Sequence, residues 1–139
     1  KGAGSRFRKQ AVGKALDKPP KVSWDPSWGT CTLVYLDPDA PDRDGDDGSR
    51  AGHLGPWLHW LVTECEGGQP LSGKEHVRHM GPSPPRGTHR YIFVLFQQEG
   101  GVKLSSGLER KKWDFKGFVE ANKGILRPAA LNFFYCNGD

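Results

Sequence analysis

Cysteine, methionine and long apolar runs are what this chain has least of. Its 139 residues include 3 Cys and 1 Met, and apolar residues make up 35%, below the usual share for a globular domain. Cys31, Cys65 and Cys136 are an odd set with no C-x-x-C spacing. That argues against a disulfide framework and for buried free thiols in a reducing compartment. No stretch approaches the roughly 18 apolar residues of a membrane-spanning helix. No N-terminal apolar segment reads as a signal peptide. A cytoplasmic protein, with the nucleus as the other compartment, is the expectation.

What is present in quantity is turn chemistry, with 19 Gly and 11 Pro. Short strands joined by many turns account for that better than long helices. The length fits one domain, large enough to form a core without metal or disulfide staples. The net charge of +4 invites a nucleic-acid reading, but the charge is unevenly placed. Residues 1–21 carry seven basic residues against Asp17 alone, net +6, and residues 22–139 carry 13 basic and 15 acidic residues, net −2. The basic excess belongs to a leader, residues 1–18, that reads as a solvated or partly ordered arm ahead of a domain at 19–139. Contact with nucleic acid is therefore expected only through residues 1–21, if at all.

Along the domain, strands are expected at 21–24, 30–36, 57–64, 89–97 and 129–136. The runs at 30–36 and 89–97 are apolar on both parities, as in strands covered on both faces. Residues 37–50 and 73–87 read as loops, punctuated by Pro and Gly. Asp114 is placed to cap a short helix over 115–122, with Gly124 at its stop. The fold class is mainly β, an antiparallel two-sheet sandwich with a short helix near the C-terminus.

Three segments could carry chemistry. Asp37-Pro-Asp39-Ala-Pro41 follows a strand and sets two carboxylates two residues apart, on one side if the strand continues. Trp57-Leu-His59 puts an imidazole on an apolar strand. Pro84-Pro-Arg-Gly87-Thr-His89-Arg-Tyr91 delivers a second imidazole from a rigid loop. Each alone has a bland reading as a turn or a structural histidine. Together they could meet at one point of a sheet, where a carboxylate fixes an imidazole tautomer and raises its pKa. Two such imidazoles beside backbone N–H groups would form a small anion site.

These same segments resemble the phosphatidylethanolamine-binding protein family, which includes the Raf kinase inhibitor proteins of animals and the flowering-time regulators of plants. The resemblance runs from about Pro19 to Cys136. Leu58-His-Trp-Leu-Val-Thr63 and Pro82-Ser-Pro84 look nearest the plant-like branches, and Pro128 to Tyr135 resembles the family's last core strand. The resemblance implies a β-sandwich with a pocket for phosphoryl groups, either a phospholipid headgroup or a phosphorylated residue. Carried over by motif, that pocket is lined by Asp37, Asp39, Trp57, His59, Pro84, Gly87, His89 and Tyr91. It implies a non-enzymatic signalling regulator that meets a kinase or another protein partner, with no cofactor. Departures are His79 and Ser83 at the rim, the acidic stretch from Asp42 to Arg50, and the lack of a long helix after Cys136.

Rival readings are weaker. His59, His89 and Asp39 could form a three-ligand metal set, but their spacing is not diagnostic. Asp42, Asp44 and Asp46 open like an EF-hand, yet Asp47 and His53 stand where Gly and Glu are needed. A hydrolase would have to recruit Ser83 or Thr88, neither in a nucleophile setting. Protease inhibition, and a scaffold role in a larger assembly such as a ribonucleoprotein, are the remaining alternatives.

Overall fold

The computed structural model describes residues 5–8, 18–40, 55–84 and 87–137. Strands β1 (Ser5–Arg8), β2 (Cys31–Asp37), β3 (Trp57–Cys65), β4 (Lys74–Val77), β5 (Thr88–Gln98) and β6 (Leu126–Asn137) make one six-stranded sheet in the order β1-β6-β5-β2-β3-β4. All pairings are antiparallel except β1 with β6. One helix, α1 (Phe115–Ala121), precedes β6.

The central strands are apolar on both parities because each face of the sheet carries a separate core. Leu33, Tyr35, Trp60, Tyr91 and Leu95 lie on one face, with Val22, Trp24 and Trp28 packed against them. Val34, Leu36, Leu61, Val94 and Phe96 lie on the other, under Trp113 and Phe118. The mainly β, antiparallel reading with a late short helix holds. The expected second sheet does not appear among the described residues. The strands all pair side by side, and the covering layers are α1 with its flanking loops on one face and the 22–28 segment on the other.

Local chemistry explains the helix. The Asp114 carboxylate accepts the Gly117 N–H at 2.9 Å, meeting one of the donors that a helix start leaves over. The buried Asn122 ends α1, its Nδ2 donating to the Phe118 and Lys103 carbonyls and its Oδ1 accepting the Lys103 N–H at 2.6 Å. Gly124 then takes the left-handed φ of 88° that favours glycine.

Two expectations need correcting. Residues 21–24 are not a strand. Flanked by prolines that donate no N–H, the segment packs against the sheet through Val22 and Trp24 and donates a backbone bond from Trp24 N–H to the Gly68 carbonyl at 3.0 Å. The loop expected over 73–87 contains β4, a short edge strand, mostly polar and half exposed, so it gives no apolar alternation to read. Within the basic leader, Ser5–Arg8 pairs with Phe134–Asn137. The acidic stretch from Asp42 to Arg50 lies outside the described residues.

Gly73 packs against the β3 backbone so closely that a methyl group there would stand 2.6 Å from the Thr63 carbonyl oxygen and 2.7 Å from Val62 Cγ1. Gly73→Ala is expected to cost about 1–3 kcal/mol of stability in urea unfolding. Gly101→Ala, with open space around it, should stay within about 0.5 kcal/mol of wild type.

Candidate functional site

The motifs meet at the end of the sheet where β2 finishes and β5 begins. Asp37, the last residue of β2, is buried. His89 Nδ1 donates to Asp37 Oδ2 at 2.7 Å, and the Asp39 N–H donates to Asp37 Oδ1 at 2.7 Å. Asp37 thus fixes the His89 tautomer and folds the Asp-Pro-Asp turn back on its own side chain. The Tyr91 hydroxyl also interacts with Asp37. Burial, helped by the Asp37 charge, pushes the Tyr91 phenol well above its ordinary range, so it stays a donor.

Asp39 takes a different part. Its carboxylate accepts Arg90 Nε at 2.9 Å, Arg90 Nη2 at 2.8 Å and the Arg90 N–H at 2.8 Å. A fully buried carboxylate of this kind needs its countercharge. Arg90 lies within the Gly87-Thr-His-Arg motif but outside the residues the resemblance implies for the pocket. Its role was hidden because it acts on an aspartate 51 positions away.

His59 reaches the site through a β-bulge. Opposite Tyr35 and Leu36, strand β3 offers Trp60 and Leu58, so His59 is the extra residue. An extra residue re-aims its side chain. His59 therefore leaves the face of Leu61, whose parity it shares in sequence, and packs against Tyr35 at 5.2 Å and edge-on to Tyr91 at 5.3 Å between ring centroids. Its Nδ1 donates to the Met80 carbonyl at 2.7 Å, leaving Nε2 as the ring atom able to meet a ligand. Burial lowers its pKa from 6.5 to about 4, so at neutral pH His59 is uncharged. The expectation that a carboxylate fixes its tautomer and raises its pKa is not met at His59: its Nδ1 partner is a backbone carbonyl, and Asp37 acts on it through space.

The remaining residues frame the site. Trp57 is the register partner of Asp37, which puts both on one face. Its indole N–H is buried with no acceptor among the described residues. Pro84 is buried, and Gly87 has a φ of 74°. Tyr91 stacks between His89 at 6.1 Å and Phe134 at 5.4 Å. His79 stacks on Tyr35 at 5.6 Å and meets Trp60 edge-on, so it serves here as an aromatic ring. Arg110 is a further residue of the site. Its guanidinium donates to the carbonyls of Leu58, His59 and Arg78, clamping the bulge to the loop that carries Met80. A lone Arg in a loop gives no sequence signal of such a role.

Beside the site an apolar groove of about 670 Å³ runs along the same face, walled by Tyr35, Phe134, Phe93, Leu33, Trp24 and Trp28, with Lys18 and Lys21 on its lining. Among the described residues no three His, Cys, Asp or Glu side chains converge as metal ligands. Asp39, His59 and His89 do not form such a set, since Asp39 is turned to Arg90. Thr88 Oγ1 donates to Asn137 Oδ1 at 2.8 Å, and Ser83 is exposed.

This layout has relatives. The family model described as phosphatidylethanolamine-binding protein matches residues 3–134. The chain belongs to the phosphatidylethanolamine-binding protein family. It is 36% identical over 107 residues to FLOWERING LOCUS T of Arabidopsis thaliana, covering 76% of this chain and 57% of that protein. It is equally similar, over the same coverage, to SELF-PRUNING of Solanum lycopersicum. The chain thus spans just over half the length of these relatives. Among solved structures it resembles carboxypeptidase Y inhibitor, captured with its cognate proteinase, at a TM-score of 0.71 and 23% identity over 98% of this chain and 76% of that one. It also resembles a phosphatidylethanolamine-binding protein from Plasmodium falciparum at a TM-score of 0.62 and 19% identity, over 96% of this chain and 77% of that one. Those two likenesses establish the fold.

Two measurements follow from this geometry. Because His59 binds its proton less readily folded than unfolded, stability is full above pH 6.5 and falls as the pH drops from about 6.5 to about 4. The span is worth roughly 3 kcal/mol, and NMR titration of the His59 ring should show its low midpoint directly. Arg90→Ala removes the charge-assisted bonds to the buried Asp39 and should cost about 3 kcal/mol in urea unfolding.

Proposed function

We propose that this protein is a non-enzymatic binding module whose pocket takes a phosphoryl group, from a phospholipid headgroup or a phosphorylated residue, and that it modulates a kinase or another signalling partner in the cytoplasm or nucleus. The observation that carries this reading is the buried Asp37–His89 pair, with Tyr91 against it and His59 within the same ring cluster. A carboxylate on Nδ1–H fixes the ring's tautomer and favours its protonated form, the form that can give an anion a charge-assisted bond. The Trp57 indole N–H adds a neutral donor on the same face. Two or three such bonds, each worth about 1.5–3 kcal/mol, suit a reversible ligand of millimolar to micromolar affinity. The aromatic groove against Tyr35 supplies apolar surface for the rest of a larger ligand.

Family membership and the plant regulators among its relatives support a regulatory role over a catalytic one. The Thr88 hydroxyl is committed to Asn137, which weakens the hydrolase rival.

NMR titration with O-phosphoethanolamine and with phenyl phosphate tests the pocket. Millimolar ligand should move the ring signals of both His89 and His59, and His89→Ala should weaken the response at least tenfold. Ring signals that stay fixed in the folded wild type overturn the reading.

A further inference from the structure

Two of the three thiols stand in a relation that the anion site does not use. Cys31 opens β2 and Cys65 closes β3, and they are direct register partners across the antiparallel pair. Opposed residues of a regular antiparallel pair have Cα atoms about 4.5–5.5 Å apart, within the roughly 4.4–6.8 Å that a disulfide spans, and this pair stands at the edge of a bulge in β3, between the partners of Cys31 and Leu33. Their side chains point to the same face, and both are fully buried in one apolar cluster. We propose that Cys31 and Cys65 are a latent cross-strand dithiol that closes to an intramolecular disulfide, while Cys136 stays a thiol.

Cys136 is excluded by topology. It sits on β6, two strands from β2, opposite His89, whereas Cys31 lies opposite Gln97 at the other end of β5. Two strand spacings of about 4.8 Å and eight residues at about 3.3 Å each separate the two thiols, far beyond disulfide reach.

The pair is latent because it is covered. Trp24 packs over this cluster and interacts with Cys31, and the Gly73 backbone closes on Cys65, where a methyl group would stand 2.8 Å from Sγ. Burial raises both thiols, Cys65 to about 12, so the thiolate fraction is small in the closed state. The cover over Cys31 is the weak part. Its 22–28 segment lies outside the sheet and is joined to the rest of the chain through Trp24 N–H to Gly68 and Gln97 Nε2 to Trp28. Once it lifts, oxidised glutathione is a sufficient oxidant. One cysteine thiolate attacks a glutathione sulfur and expels one glutathione thiolate, and the second cysteine thiolate then displaces the other. Two S–H bonds are lost and one S–S bond forms. Two electrons pass to the oxidant, which leaves as two reduced glutathiones.

The test is oxidation of the whole chain with excess oxidised glutathione, warmed to the foot of its thermal transition, followed by alkylation and intact-mass analysis without reductant. The expected product is about 2 Da lighter than the reduced chain before alkylation and takes up alkyl groups at one thiol instead of three. Peptide mapping should join the Cys31 and Cys65 peptides. Cys31→Ser and Cys65→Ser should each abolish the bridge. Cys136→Ala, which keeps the pair, should still form it, and this variant decides the question if either serine variant fails to fold. Three alkylatable thiols after oxidation, stable glutathione adducts without a bridge, or a bridge that includes Cys136 would each overturn the proposal.

Discussion

One buried carboxylate organises the end of the sheet. Asp37 accepts His89 Nδ1–H across from β5, accepts the Asp39 N–H of its own turn, and interacts with the Tyr91 hydroxyl. A carboxylate at 2% exposure is tolerated only when its oxygens are met by donors. The Asp-Pro-Asp turn therefore has to fold back, and β5 has to start where it does, for this one group to be satisfied. The bidentate Asp39–Arg90 pair follows from the same turn and closes it against β5. Remove the Asp37 acceptor, and His89 loses its tautomer while Asp39 loses the bond that positions it for Arg90.

The sheet itself was legible wherever the pattern was simple. β2 and β5 show in the sequence because they are buried on both faces and consist of β-branched and aromatic residues. Helix α1 shows because Asp114 and Gly124 bracket it. β4 could not be read, since a short, mostly polar edge strand has no core to mark it. Val22 and Trp24 mark burial correctly but not conformation, because an apolar segment packed against a sheet has the same composition as a strand within it. The two-sheet expectation came from apolar residues on both strand faces. That pattern requires two covering layers and does not say whether they are strands, helices or loops.

At the site, the convergence of the three motifs was legible, and the division of labour was not. Asp37 and Asp39 look alike in sequence, yet one orients an imidazole and the other neutralises Arg90. His59 and His89 also look alike. His89 is bound to a carboxylate, while His59 is bound to a backbone carbonyl and held neutral by burial. The difference arises from the bulge in β3, a one-residue offset in pairing that no local composition announces. Arg110, which clamps that bulge, does so by guanidinium bonds to backbone carbonyl oxygens, and these leave no partner side chain to find by motif.

The charge balance narrows what the proposed pocket can hold. Asp39 is offset by Arg90, His59 is neutral, and Asp37 is offset only to the extent that His89 is protonated. The site's own charge is thus between zero and one negative. A phosphoryl group thus meets a site with no excess positive charge of its own, and each further negative charge on the group makes the fit less favourable. The proposed pocket therefore favours a singly charged phosphodiester, or a phosphomonoester below its second pKa near 6. Part of the basic excess in the first 21 residues is near this end of the sheet: Arg6 and Arg8 belong to the strand paired with β6, and Lys18 and Lys21 line the adjoining groove. The proposed anion recognition rests on one buried aspartate setting one histidine.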